Sequence, residues 1–208
     1  MAKQTRQRIL DSALTMFNAL GEPNVTTNHI ADELEISPGN LYYHFRNKDD
    51  IIEQLFARFE ERMDAALAAP QGRLPGLEDI WLQLHLVFEC IWDYRFLHRD
   101  LVEILSRNRR LRLRFARILR RANEQAHAVM SGLLQAGIMR ASKDELAATA
   151  TNVLVIATFW LNYAAARGDK DEHAAIRDGI VQVMMLLAPF LRDAERVHLN
   201  TLTRAYLD

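Results

Sequence analysis

Apolar residues recur along the chain at intervals of three and four, the repeat of helices that bury one face. Ile9, Ala13, Leu14, Met16, Phe17 and Leu20 follow that spacing, and Gly21 stands where a helix C-cap belongs. Pro23 and Asn24 mark a turn. Thr26 or Thr27 then offers an N-cap to a short helix carrying Ile30, Ala31 and Leu34 on one face. After Ile36, Ser37-Pro38 reads as an N-cap followed by a first-turn proline. They open a second short helix with Leu41 and Phe45 turned inward. Asn47 caps a longer helix whose first turn holds Asp49 and Asp50, favourable to its dipole. Its buried stripe is Ile51, Ile52, Leu55, Phe56, Phe59 and Met63.

Residues 70 to 76, Pro-Gln-Gly-Arg-Leu-Pro-Gly, form the clearest loop. Beyond it the pattern predicts helices over Leu77–Tyr94 and Leu97–Leu105, then a long one over Leu111–Ala136 stopped by Gly137. Ser142 with Glu145 is a capping box for a helix running to Arg167. Gly168 and Asp169 break it, a further helix spans Asp171–Leu191, and a last one follows Asp193. No segment alternates with period two, and no repeat or low-complexity tract interrupts the pattern. The fold class is all-α.

Composition adds little and excludes some classes. Half of the 208 residues are apolar and a quarter charged, enough for a core without disulfides or structural metal. The single cysteine, Cys90, forms no internal disulfide and reads as a buried thiol among Phe88, Ile91 and Trp92. No stretch matches the roughly 20 uninterrupted apolar residues of a membrane span, the nearest being Val153 to Ala166 with Asn162 inside it. These features predict a soluble cytoplasmic protein with no membrane partner. Net charge is −1, and residues 1–48 balance five basic against five acidic side chains. Charge therefore gives no sign of nucleic-acid binding. Pattern has to carry it.

Two short helices joined by a tight turn cannot bury their faces alone, and the helices before and after supply the missing cover. Ile30, Ala31, Leu34, Ile36, Leu41 and Phe45 make the shared core. Pro38, Gly39, Asn40, Tyr42, Tyr43 and His44 remain outward on the second helix. A helix with that mixture of amide, hydroxyl, imidazole and bare glycine can lie in a DNA major groove. The segment Thr26-Thr27, Ile30-Ala31, Leu34, Ile36, Ser37-Pro38-Gly39, Leu41-Tyr42-Tyr43-His44-Phe45 and Lys48 resembles the DNA-binding domain of TetR-type transcription regulators. Glu35 departs from that pattern, which usually places a small residue in the turn.

The resemblance implies an N-terminal three-helix reader over residues 1–48. A larger helical effector-binding and dimerisation domain follows over 49–208, with helix 48–69 connecting the two. It implies base-edge contacts from Pro38, Gly39, Asn40 and Tyr43, and phosphate contacts from Thr27, Tyr42, His44 and Lys48. The alternative for Tyr42 and His44, secondary to phosphate contact, is that they cap the small core. Of the outward set, Asn40 is best suited to direct readout, because an amide can pair bidentately with adenine.

Residues 77–208 carry no catalytic motif, no phosphate-binding glycine loop and no metal-ligand spacing among the scattered histidines. No cofactor, metal or enzymatic activity is expected. Trp81, His85, Phe88 and Trp92 share one face of a helix; they read either as core or as one wall of an effector pocket, and the resemblance raises the second reading. Asn152 and Asn162 intrude on the apolar helix that also carries Phe159. Each could face a ligand, an interface or another helix. Arg107, Arg109, Arg110, Arg112, Arg114, Arg117, Arg120 and Arg121 read first as a solvated face, otherwise as an anion-attracting rim or distal phosphate contacts. The helices around Thr158–Tyr163 and Ile180–Phe190 are apolar on more than one side, so they must be covered on more than one side. The resemblance makes them a dimer interface. The expected function is a homodimeric repressor on a near-palindromic double-stranded operator, released by a small molecule. The rival is an all-helical binding protein or enzyme with a vestigial helix-turn-helix.

Overall fold

The structure is a computed structural model and describes residues 2–68, 72–169 and 171–204. Among the described residues there are eleven α-helices and no β-strand, a lone antiparallel bridge joining Met139 and Leu191. The helices are α1 (Ala2–Leu20), α2 (Thr27–Glu33), α3 (Pro38–His44), α4 (Lys48–Ala66), α5 (Leu77–Asp93) and α6 (Arg95–Arg99). They continue with α7 (Leu101–Arg107), α8 (Arg109–Gln135), α9 (Lys143–Arg167), α10 (Glu172–Leu187) and α11 (Asp193–Arg204). Single 3-10 turns occupy Glu22–Asn24 and Ala188–Phe190.

Most boundaries lie where the capping residues put them. Thr26, Ser37 and Ser142 accept the expected N-cap hydrogen bonds, and Gly168 closes α9 at φ 87°. Two expectations need correction. The segment expected as one helix over Leu97–Leu105 is two short helices meeting at Asp100. The helix expected to reach Leu191 ends at Leu187 in a 3-10 turn around Pro189, which has no N–H for a further helical bond. The connecting helix ends at Ala66, and residues 69–71, including part of the expected loop, lie outside the described residues.

The chain divides into two compact units, and neither follows the boundary expected at residue 48. The first joins the chain up to Arg62 with Asp93–Arg114; the second comprises Met63–Trp92 and everything from Phe115 onward. The first unit's core is the reader's: Ile9, Ala13, Phe17, Val25, Ile30, Leu41, Phe45 and Ile51 are all buried. In the second, Leu77, Leu84 and Phe88 of α5 pack with Met130 and Leu133 of α8 and with Ile180, Val183 and Met184 of α10. Gly179 permits that closeness. A Cβ there would stand 2.5 Å from the Phe88 ring and 2.6 Å from the Trp160 ring, so any larger residue forces backbone apart. By length and composition α9 is apolar enough to cross a membrane, although its apolar residues are interrupted; 33% of its most apolar window is buried in the protomer.

Candidate nucleic-acid interface

The two short helices of the reader are each started by their own sequence. Thr26 Oγ1 accepts the His29 N–H at 3.2 Å while His29 Nδ1 accepts from Thr26 N–H, and Ser37 Oγ accepts the Asn40 N–H at 3.2 Å. These bonds satisfy donors that the first turn of any helix leaves unpaired. Between the helices the chain turns at Glu35, the one described non-glycine residue with positive φ, at 54°. Thus the turn keeps the shape that a small residue usually takes, at a cost of roughly 1 kcal/mol in backbone strain. Inside, Ile30, Ala31, Leu41 and Phe45 are buried as expected, whereas Leu34 and Ile36 are only half-buried. The guanidinium of Arg6 lies over the Phe45 ring, 4.9 Å from its centre.

Pro38, Gly39, Asn40, Tyr42 and Tyr43 all stand exposed on α3, and Tyr43 is 81% exposed. Most of the Tyr43 ring is therefore open to solvent. The hydroxyls of Thr27 and Tyr42 share a hydrogen bond of 3.0 Å, so α2 and α3 present one joined polar edge. His44 is half-buried, its ring edge-on to Tyr43 at 5.1 Å. Seven of the eight residues expected to meet DNA therefore lie on or beside one face.

Lys48 is the eighth, and its ammonium points elsewhere. Nζ lies 2.8 Å from the Glu22 carboxylate and donates to the carbonyls of Glu22 and Val25, both at 3.0 Å. Glu22 is fully buried, and Arg107 reaches the same carboxylate oxygen at 2.7 Å. Sequence reading passed over Glu22, Asn18, Asp100 and the inward role of Arg107. A charged residue in a Gly-Glu-Pro-Asn turn signals exposure, and nothing local announces partners so far along the chain. The rest of the arginine run is divided. Within the first unit, Arg110 pairs with Glu53 at 3.2 Å, and Arg114 grips Glu60 at 2.7 Å while lying over Phe56. Within the second, Arg121 pairs with Asp64 at 2.6 Å. Arg109, Arg112, Arg117 and Arg120 are exposed.

The residues expected to bind an effector fall into two groups. Trp81 stacks on His85 at 5.9 Å, and Trp92 meets His173 at 4.2 Å; of this α5 set only Phe88 is fully buried, and the other three are half-buried. Asn152, Phe159 and Asn162 lie apart from them, exposed on the outward side of α9 with Val155 and Tyr163. Helical turning separates them: residues 152, 155, 159 and 162 share a face from which the buried Trp160 and Leu161 point away. Among the described residues, no group of three metal-ligating side chains gathers anywhere.

Comparison with known proteins agrees with this geometry. A family model described as bacterial regulatory proteins, tetR family, matches residues 9–55, and one described as bacterial transcriptional repressor matches residues 58–199. A solved TetR-family transcriptional regulator from Marinobacter aquaeolei VT8 is 39% identical, covers 97% of this chain and 98% of its own, and superposes with a TM-score of 0.89. The SmeT–triclosan complex shares the fold at 22% identity and a TM-score of 0.61, over 92% of this chain and 94% of its own. An uncharacterized HTH-type transcriptional regulator, TtgW of Pseudomonas putida, is 41% identical over 56 residues, 27% of this chain and 42% of that protein. This chain thus spans less than half the length of that curated relative. Helix order, reader geometry and both family models agree: the chain belongs to the TetR family of helix-turn-helix transcriptional regulators.

Proposed function

We propose that this regulator is a homodimeric repressor that reads a near-palindromic DNA operator with α3 and leaves it when a small molecule binds the second unit. The observation that carries the reading is the outward face of α3. There Pro38, Gly39, Asn40, Tyr42 and Tyr43 are exposed above a fully packed core. Asn40 and Tyr43 meet base edges alongside Pro38 and Gly39, while Thr27, Tyr42 and His44 position the reader on phosphates. Selecting bound sequences from random duplexes with the purified protein tests this. A two-fold-related motif should emerge, and Asn40→Ala should weaken binding to it by about 1–3 kcal/mol. Enrichment of no motif would overturn the reading.

Dimerisation rests on the outward apolar residues of the last long helices. Phe159 is 45% exposed, and Val155, Tyr163 and Met185 are open as well. Ile180, Val183, Met184 and Leu187 are buried within the protomer and fold it instead. Two copies pairing through these faces put two recognition helices on one side of the duplex. Sedimentation should therefore give a dimer that Phe159→Asp dissociates without unfolding.

The effector reading rests on a cleft of about 200 Å³ within the second unit. It lies on the side of α5 that carries Leu82, Gln83 and Leu86, and Ala65, Ala66 and Val129 complete its wall. Gln83 also lines this cleft, and its amide nitrogen is buried with no hydrogen-bond partner in the protein, so a ligand would meet it only if the side chain turned toward the cleft. An apolar molecule with one acceptor group would satisfy it. The structural neighbour SmeT, whose complex holds triclosan, gives such a ligand a precedent.

A further inference from the structure

Glu22, Lys48 and Arg107 are the most demanding electrostatic arrangement in the first unit. A carboxylate with no exposure to water costs several kcal/mol unless cations and donors replace its hydration. Here one oxygen takes both cations, Lys48 Nζ at 2.8 Å and Arg107 Nη2 at 2.7 Å. The Lys48 ammonium donates to the carbonyls of Glu22 and Val25 and forms an ion pair with the Glu22 carboxylate, three oxygens around one nitrogen. Arg107, with about a third of its side chain exposed, also reaches Asp49 at 3.5 Å and Glu103 at 3.4 Å with its other nitrogens. The Glu22 N–H in turn donates to Asp100 at 2.9 Å.

The elements joined are those that bracket the reader. Val25 stands just before the N-cap of α2, and Lys48 opens α4 just beyond the end of α3. We infer that Lys48 and Arg107 are positioning residues for DNA binding, holding both ends of the helix-turn-helix through Glu22 rather than touching phosphate. Arg107, far along the chain from the reader, is thereby a determinant of operator affinity. The inference rests on the operator-binding reading only for its DNA readout; the clasp itself is visible in stability.

The experiment uses the full chain, a duplex selected by the wild-type protein, and a scrambled duplex of equal length, titrated across salt concentrations. Lys48→Met should lower affinity for the selected duplex at least tenfold yet leave the slope of log K against log salt unchanged. A lysine bound to phosphate would instead lose about 0.9 from that slope. Arg107→Gln should lower affinity in the same direction, by about threefold or more, again with the slope unchanged. Lys48→Arg separates the two roles where Lys48→Met fails to fold. Arginine serves a phosphate as well as lysine but cannot make the compact three-acceptor fit, so affinity should still fall. Glu22→Gln should partly rescue Lys48→Met, because the buried carboxylate left with Arg107 as its one remaining cation is then replaced by a neutral amide. A reduced slope in Lys48→Met, or wild-type affinity in Lys48→Arg and Arg107→Gln, overturns the inference. If the wild-type protein selects no duplex, the operator reading fails by itself. The clasp is then read from thermal unfolding, where additive losses from Glu22→Gln and Lys48→Met would refute it.

Discussion

Two pairs of short helices in the first unit, α2–α3 and α6–α7, have the same scale and opposite origins. Each helix of the first pair is opened by a neighbouring side chain, Thr26 or Ser37, bonding an N–H three residues on. Neither helix of the second pair has a side-chain cap of its own. Asn18, buried in α1, supplies what α6 lacks. Its oxygen accepts the Phe96 N–H at 3.1 Å, its nitrogen donates to the Asp93 carbonyl at 2.8 Å, and Arg99 returns a bond to its own carbonyl. Asp100, at the junction, gives its carboxylate to Glu22 instead of to α7. A local cap fixes where a helix starts, although packing must still hold so short a helix together; a helix capped from elsewhere has even its start set by the folded unit. The α2–α3 pair is of the first kind, its helix starts set locally while its ends are tied to Glu22 by Lys48.

Substitutions can break this contrast in graded ways. Asn18→Ala removes both ends of the remote cap and leaves a buried N–H and carbonyl unpaired. Urea unfolding at fixed protomer concentration should show a loss of about 2–5 kcal/mol. Protease sensitivity should appear first around residues 93–107. Ser37→Ala and Thr26→Ala each take away a local cap, and the expected loss is about 1 kcal/mol. A loss as large as that of Asn18→Ala would mean that the local caps also carry tertiary load.

Asp100 gives a smaller effect with a pH signature. Burial, together with the nearby Glu22, holds its carboxyl above the usual carboxylate range, against the pull of the Glu22 N–H and Arg99. A raised pKa means that the folded chain holds this proton more tightly than the unfolded chain. Its contribution is therefore favourable in acid and is lost as pH rises through the folded value. Asp100→Asn keeps an oxygen for the Glu22 N–H and discards the buried charge. Thermal unfolding should show stabilisation at neutral pH that fades as the solution is acidified; a gain independent of pH would break the assignment. Glu35→Gly is the smallest. Relief of strain at φ 54° opposes the greater freedom of an unfolded glycine, so stability should change by less than about 1 kcal/mol in either direction. Operator affinity should stay within about threefold of wild type.

Much of the molecule was legible from spacing alone. The all-α class, the start of nearly every long helix and the outward set on α3 follow from which residues repeat, cap or break. Such signals act within a turn or two of the chain, and they keep their meaning wherever that segment is placed. The split at Asp100 and the inward course of Lys48 were not legible. Each involves Glu22, tens of residues away along the chain. The TetR-type resemblance assigned Lys48 to phosphate together with Thr27, Tyr42 and His44. The folded unit sends its ammonium inward because Glu22 is buried there and an unpaired carboxylate cannot stay in an apolar interior. The sequence by itself determined which segments are helical and which side chains a reading helix could offer. Only the tertiary structure decided which charges face the solvent, because the cost of burying a charge is set by the residues folding brings around it.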